Sequence, residues 1–262
     1  MILRLLLLGL LSSSLFAKYT NCEFKNEHYE EICKKVVNNG VSYKYANEFL
    51  LSYFKTQKFD EITWKYIQPS KLKYHIQNEK KANNTLIKFI PTMVKNLNTY
   101  KEVYDKAEAK YGVNREIIAA ILLKETKFGK IKPKHDAFIV FNTILTRMKP
   151  ETTRAKWLLH MSKANMSSII EHCYEKGVAP EQCNLPSSYA GAIGIPQFMP
   201  NNFRYTDSYK GKVADLTNME DAIMSAAKFL NKRANFTTLI DWEKMPHIPQ
   251  IEEEWYEFEF EH

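Results

Sequence analysis

Glu125 is the side chain whose position most directly suggests chemistry. It lies near the end of an apolar run, residues 117–126, with Ile118, Ile121 and Leu122 seven, four and three residues before it. At helical spacing these positions share one face, so we expect the carboxyl group to point toward the buried side. Burial raises the pKa of a carboxyl group, and one that stays protonated near neutral pH can act as a general acid. The plainer alternative is a glutamate on a solvated helix face.

Residues 187–200 combine side chains that suit a sugar ligand. The segment holds two glycines and two prolines among small, aromatic and amide residues, so it is too broken for a long helix and too apolar for an ordinary surface loop. Glycines let the backbone approach a ligand closely. Gln197 can donate and accept hydrogen bonds, while Tyr189 and Phe198 offer flat apolar faces. The segment therefore favours a sugar-binding loop; the alternative is a tight packing corner between helices.

The elements that must position these residues are almost all helical. Periodic spacing predicts helices over 29–38, 43–54, 84–111, 138–148, 152–176 and 221–234, with the 84–111 stretch interrupted near Pro91 and stopped by Gly112. Asn114 is expected to cap the helix that carries Glu125. Residues 59–69 are expected to be irregular, as a wall of a binding groove. No long alternating pattern appears, so we predict a mainly α fold with at most a small β hairpin, placed near 205–216.

The first 17 residues have the features of a secretory signal peptide. Arg4 precedes an apolar run, and small residues lead to Ala17, where we place the cleavage. The run is short for a membrane span, which needs about 20 apolar residues. A soluble exported, periplasmic protein is the expectation, and membrane association through an uncleaved signal is the alternative.

Cysteine usage agrees with export. The four cysteines lie beyond the expected cleavage site in two local pairs, which favours the disulfides Cys22–Cys33 and Cys173–Cys183 among three connectivities. A zinc site is the competing interpretation, but the chain lacks a CxxC pair and a histidine cluster at ligand spacing.

The charge distribution favours anionic partners. The formal net charge is +7, and without the signal and the six glutamates of residues 252–262 the remaining body, 18–251, carries +12. In a cell envelope such partners are peptide-substituted glycans and anionic lipid surfaces. Export argues against nucleic acid as a partner. Most of the lysines are expected to form an ordinary solvated surface.

Two motifs give the chain a resemblance to a known family. The first runs from Tyr111-Gly112-Val113 to Glu125-Thr126-Lys127-Phe128-Gly129, the second is Ser188-Tyr189-Ala190-Gly191-Ala192-Ile193-Gly194-Ile195-Pro196-Gln197-Phe198-Met199-Pro200, and Asp221-Ala222-Ile223 opens the last long helix. In these residues, and in order and spacing over roughly residues 25–240, the sequence resembles the lytic murein transglycosylase B family.

The resemblance implies a lysozyme-like helical catalytic core. We expect a signal peptide at 1–17, an N-terminal helical region at 18–110 packed on a catalytic core at 111–240, and an acidic aromatic tail at 241–262. The family cleaves the β-1,4 bond between N-acetylmuramic acid and N-acetylglucosamine without water, through attack of the sugar's own C6 hydroxyl, and leaves 1,6-anhydro muramyl ends. The implied partner is the glycan strand of peptidoglycan, with envelope proteins as further partners of a monomeric enzyme.

The resemblance also implies roles for individual residues. Glu125 would be the single acid and base, helped by the substrate's 2-acetamido group. Ser188 would hydrogen-bond near that group or Glu125, and Gln197 and Phe198 would line the cleft beside the cleaved bond. Arg154 matches an arginine that could pair with stem-peptide carboxylates, or it forms a surface salt bridge. Paired carboxylates are typical of glycosidases that use water, but the second candidate, Asp136, is interpreted as a solvated loop charge.

The chain departs from the family at two places. Several members carry an acidic, EF-hand-like metal loop after the second motif, whereas residues 207–215 here keep only Asp207 and Asp215 and gain two lysines. Calcium needs several oxygen ligands with compensating charge, so we predict no metal and no other cofactor. The far wall of the cleft is also in question, because an acidic aromatic tail follows the last helix.

Two other functions stay open at this stage. A true muramidase of the same fold would hydrolyse the same bond. A non-catalytic envelope scaffold would bind glycan without cleaving it, although the intact Glu125 segment argues against that role.

Overall fold

The described part of the protein is built from helices and one very short strand pair. The computed structural model describes residues 22–56, 58–211 and 213–244. In that part of the chain the α-helices are α1 (Glu27–Asn38), α2 (Tyr43–Thr56), α3 (Glu61–Tyr66), α4 (Leu72–Leu86), α5 (Ile90–Thr99), α6 (Lys101–Tyr111), α7 (Arg115–Thr126), α8 (Ala137–Arg147), α9 (Thr153–Glu175) and α10 (Met219–Lys232). Strands β1 (His135–Asp136) and β2 (Pro186–Ser187) pair antiparallel, with His135 opposite Ser187. The predicted mainly α class is confirmed.

Short 3-10 turns connect several helices, at Pro69–Lys71, Ile87–Phe89, Pro180–Gln182 and Pro200–Tyr205. Among the described residues, none of the helices has both the length and the apolar composition that a bilayer crossing requires.

The chain divides into two compact units made of separate segments. The first comprises the described parts of Met1–Trp64 with Lys134–Ile193 and Met199–Phe203, and the second comprises Lys65–Pro133, Gly194–Phe198 and the described parts of Arg204–His262. The expected N-terminal region at 18–110 and catalytic core at 111–240 stay a prediction. The segment over 187–200 contributes to both units.

Large buried side chains form the core of the first unit. Helix α9 packs on α8 and α1, and the core includes Tyr29, Phe49, Phe138, Phe141 and Ile169. Both predicted disulfides, Cys22–Cys33 and Cys173–Cys183, are present in this unit, with Cα atoms 5.7 and 6.0 Å apart. Each closes a short loop, which stabilises the fold by about 3 kcal/mol in the chain-entropy model.

The core of the second unit surrounds α7. Helix α10 packs on α6 and α7, and the buried cluster includes Tyr104, Ile118, Leu122, Ile195, Ile223 and Met224. Gly112 ends α6 in the left-handed region, at φ +64°, as predicted. This core supports the helix that carries Glu125.

Three sequence-based expectations about elements need correction, at residues 59–69, at 205–216 and at Asn114. Residues 61–66 are helical because Asp60 caps them, accepting a hydrogen bond from the Thr63 backbone at 2.8 Å. The predicted interruption near Pro91 is confirmed: α4 ends at Leu86, a 3-10 turn follows at Ile87–Phe89, and Pro91 lies in the first turn of α5, where proline fits. The described residues of 205–216 form no hairpin; the strand pair lies at 135–136 and 186–187.

Asn114 occupies the N-cap position of α7, but its side chain makes no capping hydrogen bond. Its amide instead exchanges two hydrogen bonds with the backbone of Ile240, at 2.8 and 3.0 Å. Asn114 therefore binds the segment that follows α10 instead of capping α7. The predicted signal peptide and the acidic residues beyond 244 lie outside the described residues.

Candidate active site

Glu125 lies in the last turn of α7, where the buried face of the helix reaches its end. Ile118 and Leu122 are fully buried and Ile121 is half-buried, but the Glu125 residue is exposed. The expectation that the carboxyl group points toward the buried side of the helix is therefore not met. The helix ends one residue later, at Thr126, and the buried side chains of this last turn, Leu122, Leu123 and Thr126, lie on another face.

The carboxyl group of Glu125 nevertheless has a raised pKa. Desolvation by nearby protein atoms is the largest cause; Lys124 acts to lower the pKa and the negative charge of Glu79 acts to raise it. Solvent reaches the side chain while the surrounding protein still displaces part of the water around the carboxyl group. A raised pKa keeps a larger fraction of the acid protonated at neutral pH, as a general acid requires.

The Glu79 charge is held close to α7 by a salt bridge. The Glu79 carboxylate lies 2.6 Å from the Lys124 ammonium group, and both side chains are about half exposed. Two residues after Glu125 along the chain, the Lys127 ammonium group lies 4.2 Å from the centre of the Phe89 ring. These partners on α4 and the following turn were not recognised in the sequence, since only the tertiary fold brings them to α7.

A strained turn follows the acid. The Lys127 and Phe128 backbone N–H groups donate to the carbonyls of Leu123 and Leu122, at 2.9 and 3.1 Å, and so close the end of α7. Lys127, Phe128 and Gly129 have φ values of +50°, +57° and +76°. Left-handed backbone is uncommon for residues with a side chain, and such strain is concentrated at functional sites.

The part of the second motif in the first unit is a tight turn. Ser188 and Tyr189 are half-buried. The Ser188 hydroxyl accepts a hydrogen bond from the Ala192 backbone at 3.2 Å, and the Tyr189 carbonyl accepts one from the Thr63 hydroxyl at 2.6 Å. Ser188 therefore shapes the turn, while its expected contact with a substrate stays a prediction.

The part of the motif in the second unit carries Gln197. This residue has φ +52°, and its side-chain amide donates to the Gly194 carbonyl at 2.8 Å. Phe198 is only 5 % exposed, and its ring lies 5.1 Å from that of Phe229. The expectation that Phe198 offers an open face to a sugar is not met, because the ring is used to anchor the loop in the core.

Asp136 is not the solvated loop charge that the sequence suggested. It is half-buried, and its carboxylate caps α8 by accepting from the Ile139 backbone at 3.1 Å. Burial raises the pKa of Asp136, against the lowering effect of backbone hydrogen bonds. The carboxylate therefore has a structural role. The sequence did not indicate this role, because the neighbouring residues are rich in lysine and resemble a solvated loop.

Arg154 lies in the first turn of α9 in the first unit and is half-buried. Its predicted pairing with a stem-peptide carboxylate stays a prediction.

Comparison with known proteins identifies the class. The family model described as "Transglycosylase SLT domain" matches residues 25–254, and the chain belongs to that family. This confirms the relationship suggested by the two motifs.

Individual relatives agree with this assignment. The chain is 29% identical over 134 residues to the membrane-bound lytic murein transglycosylase B of Escherichia coli (strain K12), covering 50% of this chain and 35% of that protein. It is similar to the soluble lytic transglycosylase SltB1 from Pseudomonas aeruginosa, with 25% identity, a TM-score of 0.59 and coverage of 78% of this chain and 65% of that one.

A further protein of similar fold is SltB3 from Pseudomonas aeruginosa, solved in complex with NAG-anhNAM-pentapeptide. It has 16% identity and a TM-score of 0.52, with coverage of 82% of this chain and 54% of that one, and it shows the fold alone. The chain thus spans about a third of the curated relative and two thirds or less of the two solved structures.

The acidic residues at the loop 207–215 and at the start of α10 accept hydrogen bonds from the protein itself, and the absence of a metal stays a prediction. Asp207 accepts hydrogen bonds from the Lys110 ammonium group at 2.8 Å and the Tyr111 hydroxyl at 2.5 Å. Asp221 accepts from the backbone of Tyr209 and Asp215, each at 2.8 Å. Calcium takes six to eight oxygen ligands, but these carboxylates already serve protein donors. Among the described residues, no three acidic, histidine or cysteine side chains are grouped to hold a metal.

Proposed function

We propose that this chain is an exported lytic transglycosylase that cleaves the MurNAc-β-1,4-GlcNAc bond of peptidoglycan. The observation that carries the proposal is Glu125, an acid with a raised pKa at the end of α7 in a chain of the transglycosylase family. The curated relative is named as a lytic murein transglycosylase and SltB1 as a soluble lytic transglycosylase. Both names describe those proteins and support the same reaction here.

In the first proposed step, protonated Glu125 donates its proton to the glycosidic oxygen. The bond between C1 and that oxygen breaks, and its electron pair stays on the leaving sugar. The carbonyl oxygen of the substrate's 2-acetamido group bonds to C1 and stabilises the positive charge that develops there.

In the second proposed step, the Glu125 carboxylate takes the proton of the C6 hydroxyl. The C6 oxygen attacks C1, the acetamido oxygen leaves, and a 1,6-anhydro ring forms. Glu125 is protonated again, and no water has been consumed. A single carboxyl group therefore suffices, in contrast to the carboxyl pair of most glycosidases that use water.

Further residues are proposed to bind the glycan. Gln197, Ser188 and Tyr189 are proposed to contact the sugars through their polar atoms and the tyrosine ring, and Arg154 is proposed to bind a stem-peptide carboxylate. Export is supported by the two disulfides, which persist in oxidising compartments. A monomer acting on glycan strands, with envelope proteins as additional partners, remains our prediction.

The test is digestion of purified sacculi followed by mass analysis of the released muropeptides. A lytic transglycosylase leaves ends that are lighter by one water than the reducing ends left by a muramidase. Reducing ends would contradict the proposed chemistry, and binding without any release would favour a scaffold.

Substitution of the acid gives the second arm of the test. Glu125→Gln should lower the rate of release by about 10²- to 10⁴-fold, because the amide cannot transfer the proton, while binding to sacculi is retained. Glu116→Gln is the matched control, since Glu116 lies in the first turn of the same helix. Equal rates for the two variants would exclude Glu125 as the acid.

A further inference from the structure

The turn that follows Glu125 and the loop that carries Gln197 are in direct contact in the second unit. Thr126, the residue after Glu125, is only 3 % exposed. Its hydroxyl donates a hydrogen bond to the Ile195 carbonyl at 2.8 Å and accepts one from the Gly129 backbone at 2.9 Å. One buried side chain therefore connects both segments.

The packing around this hydroxyl leaves little freedom. A Cβ atom on Gly129 would lie 3.1 Å from the Ile195 side chain, and one on Gly194 would lie 2.4 Å from the Leu216 side chain. The Ile195 backbone N–H also donates to the Leu216 carbonyl at 2.8 Å. The loop is thus fixed from two sides: by Thr126 through the Ile195 carbonyl and by Leu216.

The two segments are also strained. Lys127 and Phe128 after the acid, and Gln197 in the loop, all have positive φ values. Residues with side chains keep such conformations when the surrounding contacts enforce them. The Thr126 hydroxyl is the side-chain group that joins the strained turn to the backbone two residues before Gln197.

We propose that Thr126 is a positioning residue, whose buried hydroxyl sets the distance between the Glu125 turn and the Gln197 loop. This inference rests on the proposed function, because it assigns the two segments to one reaction. Thr126 has no direct role at the reacting atoms; it acts through Glu125 and Gln197. Small displacements of reacting groups are costly to catalysis, about 10²-fold for 1 Å.

The experiment compares Thr126→Val with Thr126→Ser. Valine keeps the shape but removes both hydrogen bonds, so kcat on soluble glycan strands should fall about tenfold or more, with a smaller change in KM. Serine keeps the hydroxyl and should restore kcat to within about twofold of the unmodified protein.

Thr143→Val is the matched control. Thr143 in the first unit is also fully buried, donates to the Ile139 carbonyl at 2.7 Å and accepts from the Asp60 backbone at 2.8 Å. Its replacement should lower the melting temperature to a similar extent but leave kcat within about twofold. An equal kcat for the two valine variants, measured below both melting temperatures, would overturn the proposal.

A measurement that does not depend on catalysis distinguishes the positioning role of Thr126 from the proposed function. The side-chain amide signal of Gln197 in an NMR spectrum should shift in Thr126→Val and stay unchanged in Thr143→Val. If the unmodified protein releases no muropeptides, the proposed function fails; if the Gln197 signal does not respond to Thr126→Val, the positioning role fails.

Discussion

At the scale of the residue, the pKa of Glu125 depends on the neighbouring groups more than on the exposure of the whole residue. The residue is exposed, yet desolvation by the surrounding protein raises its pKa, and charges on Lys124 and Glu79 act in opposite directions. A general acid must be protonated, so activity should be lost as the pH rises through the pKa of this group. The basic limb of the pH profile should therefore lie above the range of an ordinary glutamate.

Two substitutions should move that limb in opposite directions. Lys124→Met removes the charge that lowers the Glu125 pKa, so the limb should shift to higher pH. Glu79→Gln removes a charge that raises it and releases Lys124 from its salt bridge, so the limb should shift to lower pH. The measurement is kcat/KM against pH on soluble glycan strands.

Salt provides the control for this pair of variants. Because both side chains are about half exposed, high ionic strength should reduce both shifts. Shifts of the same sign in the two variants would show that these charges do not tune the acid.

At the scale of the element, glycines in the second motif permit close packing that no other residue allows. Gly191 has φ +86°, and a Cβ atom there would lie 2.3 Å from the ring of Phe141 in the first unit. Gly177, after α9, has a similar φ of +66° but nothing within 4 Å of its Cβ position. Comparing an alanine at Gly191 with one at Gly177 therefore separates the cost of the left-handed backbone from the cost of the clash with Phe141.

Gly191→Ala should therefore destabilise the protein more than Gly177→Ala. The left-handed conformation alone costs about 1–2 kcal/mol with a side chain, whereas the clash with a buried ring adds about 1–3 kcal/mol. Chemical denaturation of both variants measures the difference in unfolding free energy. Similar losses at the two positions would mean that the Phe141 ring moves aside without cost.

At the scale of the whole molecule, the covalent links are confined to one unit. Both disulfides lie in the first unit, and neither closes a loop of more than 11 residues. The charge, in contrast, is uneven along the chain: the formal net charge is +7, residues 18–251 carry +12 and residues 252–262 hold six glutamates. A net positive charge favours association with anionic partners.

Removal of one disulfide should lower stability measurably. The double variant Cys173→Ser/Cys183→Ser should lose about 3 kcal/mol of unfolding free energy, because the unfolded chain gains the freedom of an open loop. Urea unfolding with and without reductant is the measurement. A variant that lacks both disulfides should not respond to reductant; if it does, the stability difference has another origin.

Much of the architecture could be predicted from local sequence. Helical periodicity located most helices to within a few residues, Gly112 gave the end of α6, and local cysteine pairs gave both disulfides. These features depend on neighbours along the chain. The helices α3 and α4 and the strand pair escaped prediction. Helix α3 depends on a short capped turn, the described side chains of α4 include no fully buried one, and the two-residue strands have no detectable pattern.

The sequence by itself determined the helical class, the family motifs and the identity of the candidate acid, because residue type and spacing are sufficient for these. Only the tertiary structure decided that Glu125 is exposed, that Glu79 lies beside Lys124, that Phe198 is buried and that Thr126 joins two segments 69 residues apart. Burial, desolvation and charge at a site depend on which distant segments pack around it, and no local pattern encodes those contacts.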